Sequence, residues 1–90
     1  MVYETRLKST AQLWRELVNL EVDAGVRALG TFEGKKSFVF ITKHSGRYSV
    51  WVRPRSGPVK SGSILEFTSV DELRSFLNGL LDSPLKAHMY

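Results

Sequence analysis

The sequence predicts an α+β domain in the order helix, four-stranded antiparallel sheet, helix, with both helices covering one sheet face. Three observations predict it. Leucines recur at helical spacing near the N-terminus, residues 47–53 alternate strictly between polar and apolar, and a second helix-opening signal stands at Ser69.

The first helix is expected over residues 9–25. Ser9 followed by Gln12 fits a capping box. Leu13, Leu17, Leu20 and Ala24 repeat along one face, Trp14 and Val18 widen that stripe, and Gly25 supplies the stop. Trp14 on this pattern is a packing residue.

Strands follow at Val26–Phe32, Ser37–Lys43 and Arg47–Arg53, with a turn at Gly34 and Lys35 between the first two. In the third, Tyr48, Val50 and Val52 point one way and Arg47, Ser49, Trp51 and Arg53 the other. Pro54 to Pro58 breaks the sheet, and the loop continues through Lys60 and Gly62. A fourth strand is expected over Ser63–Thr68. The second helix opens on the capping box Ser69–Glu72, with two acids in its first turn, and Pro84 bars extension beyond Ser83. Val70, Leu73, Phe76, Leu77 and Leu80 form its buried stripe; Phe67 and Phe76 are core residues.

The ninety residues make one domain, 1–90, in which 1–8 are an N-terminal arm or loose strand and 85–90 a C-terminal tail. Absence of cysteine excludes disulfides, zinc–thiolate sites and thiol nucleophiles. Nothing resembles a signal peptide or a membrane span, so a cytoplasmic protein without membrane contact is expected. Three side-chain amides and no cysteine lean towards a thermophile source.

Net charge is +4, and its distribution carries more meaning than its size. Between Gly34 and Leu65 stand seven cations and no acid, whereas the flanking segments have local balances of −1 and −2. Such a concentration attracts polyanions and releases their counterions on binding. The plainer reading is solubility charge on an ordinary sheet.

Catalysis has little to draw on. His44 and His88 lack a neighbouring acid or nucleophile at a known spacing, and there is no phosphate-binding glycine loop, metal-ligand pattern or nucleophile elbow. No enzyme, cofactor or metal is expected.

The strand from Arg47 to Arg53 is the informative segment. Arginine rarely faces a core, so Trp51 belongs to the polar face, where a large indole needs a cover. A single-stranded nucleic acid supplies one, since bases stack on rings while cations track phosphates. Packing against another subunit and a cation–π contact with its own arginines are the alternatives.

The preceding strand's contribution depends on hairpin register. A three-residue loop of His44, Ser45 and Gly46 puts Lys43 opposite Arg47, with Val39, Ile41 and Lys43 on the Trp51 face. A two-residue loop, Ser45-Gly46, instead puts Phe40 opposite Trp51 and Phe38 opposite Arg53. Turn chemistry favours the first, because serine is a poor left-handed residue. The expected nucleic-acid-binding set is Trp51, Arg53, Arg47, Lys43 and Arg55, joined by Lys36 and Phe38. The Pro54–Gly62 loop, with Arg55 and Lys60, reads equally as a mobile basic arm or as a plain solvated loop.

Helix, four strands, helix, with a basic acid-free sheet bearing Phe38, Phe40, Tyr48 and Trp51, resembles the small archaeal single-stranded-DNA-binding proteins called ThermoDBP and their shorter relatives. The likeness covers about residues 9–82 and rests on element order and character rather than on a motif. It implies sequence-tolerant binding of single-stranded DNA by a homo-oligomer, a tetramer holding DNA between subunits being one form. RNA is the alternative ligand, and a protein–protein module assembling through the same face is the rival class.

Overall fold

In the computed structural model, residues 5–21, 23–55 and 62–90 are described. The order is β1 (Thr5–Leu7), α1 (Thr10–Val18), β2 (Gly25–Phe32), β3 (Lys35–His44), β4 (Arg47–Pro54), β5 (Ser63–Phe67), α2 (Val70–Asn78) and β6 (Ala87–Met89). The strands form one antiparallel sheet in the order β1-β6-β2-β3-β4-β5. The α+β character agrees with the sequence, but the sheet has six strands, not the predicted four.

The added strands come from the segment read as an arm or loose strand and from the one read as a tail. β6 pairs with β2 through Val26–Met89, Arg27–His88 and Ala28–Ala87, and β1 then pairs with β6. Each is three residues long, too short to display alternation. Burial holds them in place: Leu7 and Ala87 are fully enclosed by the core.

Both helices start where the sequence places them. Ser9 Oγ accepts from the Gln12 amide, and Ser69 Oγ accepts from the Glu72 amide, each at 3.2 Å. Such caps satisfy amides that lack intrahelical partners. Both helices end early, at Val18 and Asn78. Leu20 and Leu80 still reach the core from the segments that follow, but Val18 is half exposed and adds nothing to the stripe.

One core lies between the helices and one sheet face. Leu13, Leu17, Leu73 and Leu77 meet Val26, Ala28, Val39, Ile41, Val50 and Val52, and burying each large side chain contributes about 1.5–3 kcal/mol. Tyr48 joins this layer and donates from its hydroxyl to the Leu17 carbonyl at 2.7 Å. Phe67 and Phe76 pack partly buried against it, as does Trp14, with the Arg74 guanidinium 5.4 Å from its ring centroid. No helix among the described residues is long and apolar enough to cross a membrane.

Candidate nucleic-acid interface

The hairpin between β3 and β4 sets the face. His44 pairs with Arg47 across a two-residue loop, and both Ser45 (φ 51°) and Gly46 (φ 78°) are left-handed. This overturns the three-residue loop that turn chemistry favours. A slip of one residue would turn Val39 and Ile41 away from Val50 and Val52, so the hydrophobic pattern outweighs the modest penalty at Ser45. The β2–β3 turn has the same form, with Glu33 (φ 52°) and Gly34 (φ 79°) as its two residues rather than Gly34 and Lys35.

In this register Phe40 lies opposite Trp51 and Phe38 opposite Arg53. The Phe40 and Trp51 rings stack with centroids 5.2 Å apart, and Phe38 is 6.4 Å from Phe40. Arg53 reaches over both flanks of the group, 5.5 Å from the Phe38 centroid and 5.7 Å from that of Trp51. The cation–π contact considered for Trp51 is therefore present, and it leaves the ring half-buried rather than enclosed. The β5 side is close-packed: a Cβ on Gly62 would overlap Trp51 Nε1, so only glycine lets the chain pass there.

Pairing extends this face into a row across the whole sheet. Reading from β1 to β5, Arg6, His88, Arg27, Phe40, Trp51 and Ile64 are successive cross-strand neighbours. One end is basic, the middle aromatic, and the far end apolar, where Ile64 is 72% exposed. A parallel row holds Leu29, Phe38 and Arg53, with the Lys86 carbonyl accepting from the Leu29 amide. Between the rows lies a cleft of ≈ 550 Å³ bordered by Arg6, Arg27, Leu29, Phe38, Phe40, Arg53, Lys86 and His88. On the other flank Thr42 faces Ser49, and Glu66 beyond is the only acid within a strand among the described residues.

The expected residues separate into three groups. Trp51, Arg53 and Phe38 come together as described. Arg47 and Lys36 share their face by register, Arg47 at the hairpin end and Lys36 beside Thr31. Lys43 and Arg55 do not join them. Lys43 pairs with Tyr48, so it emerges on the helix side, where its ammonium is 3.5 Å from the Val18 carbonyl and 5.5 Å from the Tyr48 ring centroid. Expecting Lys43 on the Trp51 face followed from the wrong register.

Arg55 is engaged elsewhere. Its guanidinium donates to Asp82 at 3.0 Å and to the Ser37 carbonyl at 3.4 Å, fastening the end of β4 to the segment after α2. Of the two readings of the Pro54–Gly62 loop, the basic arm loses Arg55, and Lys60 lies outside the described residues.

Sequence reasoning missed Arg6, Arg27, Lys86, His88 and Ile64. Their signal was weak, because β1 and β6 have no alternation to read and the charge count had singled out only the central third. Arg27 alone was recoverable, as a cation in strand β2 on the face opposite Val26 and Ala28. Among the described residues no group of three or more histidines or acids is placed to hold a metal ion. No family model, curated protein or solved structure matches this chain.

Proposed function

We propose that this chain binds single-stranded nucleic acid, DNA in the first instance, on the open sheet face, without catalysis. The carrying observation is the stacked, half-buried Phe40–Trp51 pair with Arg53 over its flank and the basic end of the sheet beside it. A base stacked on such a ring gains about 1–3 kcal/mol whatever its identity, so the binding is sequence-tolerant. Arg53, Arg47, Lys36, Arg6 and Lys86 supply the phosphate contacts. A cytoplasmic setting accompanies this reading. The likeness to ThermoDBP-type proteins now rests on the basic, aromatic character of the sheet alone, because its element order had two strands fewer.

One observation favours a second reading, self-association through the same face. Ile64 is 72% exposed next to Trp51, and a second copy is a natural cover for it. The two readings are compatible if an oligomer holds the strand between subunits. Titration of a labelled single strand, and of its duplex, against protein monitored by light scattering separates them. Tighter binding of the single strand supports the first; assembly without any oligonucleotide binding supports only the second.

A further inference from the structure

The basic end of the face has a charge density that an internal stretch of nucleic acid does not match. Arg6, Arg27, Arg53 and Lys86 carry full charges around one cleft, and His88 adds an imidazole. Arg6, His88 and Arg27 are direct cross-strand neighbours. The floor, by contrast, is apolar, formed by Leu29, Phe38 and Phe40. At ≈ 550 Å³ the cleft falls within the size range of small-ligand sites.

An internal phosphodiester brings one negative charge per nucleotide, spread along the strand. A terminal phosphate monoester brings about −1.5 to −2 and three acceptor oxygens at one point. Charge-assisted hydrogen bonds from guanidinium and ammonium groups are the strong ones, and their geometry favours such concentrated acceptors. Resting on the single-strand reading above, we infer that the cleft receives the phosphorylated end of a strand. The terminal nucleoside lies on Leu29, Phe38 and Phe40, its phosphate sits among Arg6, Lys86 and His88, and the following bases run towards Trp51.

The test compares three forms of one short oligothymidylate: hydroxyl at both ends, 5′-phosphorylated, and 3′-phosphorylated. One phosphorylated form is expected to bind about tenfold tighter than the hydroxyl form, the scale of a hydrogen bond to a charged group. Arg6→Ala combined with Lys86→Ala should bring that ratio close to one; both residues are exposed, so the core is untouched. Trp51→Ala should weaken all three forms and keep the ratio. Equal, measurable affinities for the three forms would overturn this inference and leave the single-strand reading standing. Absence of binding by every form would overturn both. Thymidine monophosphate binding as tightly as the phosphorylated strand would also overturn it, since the cleft would then be a mononucleotide site.

Discussion

Phe40 and Trp51 stack because they are a direct cross-strand pair, with ring centroids 5.2 Å apart and planes inclined by 29°. Neither ring belongs to the core, whose β3 and β4 members are Val39, Ile41, Tyr48, Val50 and Val52. Function and stability should therefore separate by face on these two strands.

Trp51→Ala should leave unfolding cooperative and weaken single-strand binding by about 1–3 kcal/mol, roughly five- to 150-fold. Phe40→Ala should act in the same direction. The double variant should lose less than the sum, because stacked neighbours are energetically coupled. Val50→Ala should do the reverse, costing about 1–3 kcal/mol of stability with binding unchanged once the protein is folded. Chemical denaturation and oligonucleotide titration of the four variants check this set. Unfolding on loss of Trp51 alone would make that residue structural.

Lys43 and Arg53 offer a sharper contrast, since both are cations near Trp51 in sequence and only one shares its face. Arg53→Ala should weaken binding, whereas Lys43→Ala should change affinity by less than about twofold, the effect expected of a distant, screened charge. Equal losses would mean that the face is not the contact surface.

Arg55 should report on stability instead. Removing its contacts to Asp82 and the Ser37 carbonyl should cost about 1 kcal/mol. For a domain of this size that corresponds to a midpoint lower by about 4–8 °C. Asp82→Ala should give a similar shift, and neither variant should alter oligonucleotide affinity as much as Arg53→Ala. Thermal melts beside titrations decide it.

Much of this was legible in the sequence, for identifiable reasons. Ser9 and Ser69 marked the helix starts through their side-chain oxygens, and the alternation from Arg47 to Arg53 assigned Tyr48, Val50 and Val52 to the core. The register of β3 was harder. Local turn preference at Ser45 pointed one way and burial of Val39 with Ile41 pointed the other, and burial prevailed. β1 was legible only as one of two options and β6 not at all, because a three-residue strand is defined by its pairing partner rather than by its own pattern. With them went Arg6, Lys86 and His88, and so the basic end of the site.

Salt dependence should expose the electrostatic share of binding. If three to five phosphates are neutralised, log K against log salt should slope at about −2 to −4 for single strands. Arg53→Ala should flatten that slope by about 0.7, the value for one phosphate contact. A slope near zero would remove phosphates from the account and favour self-association.

The most direct measurement uses the indole itself. Trp14 and Trp51 are the only tryptophans, so a Trp14→Phe variant makes Trp51 the sole reporter. Titrated with a short single strand at moderate salt, its emission should be quenched and should saturate, as stacking of a base on the ring requires. The duplex of the same sequence should bind more weakly, because its bases are not free to stack. Unchanged emission at saturating single strand, or duplex binding as tight as single-strand binding, would contradict the assignment of this face.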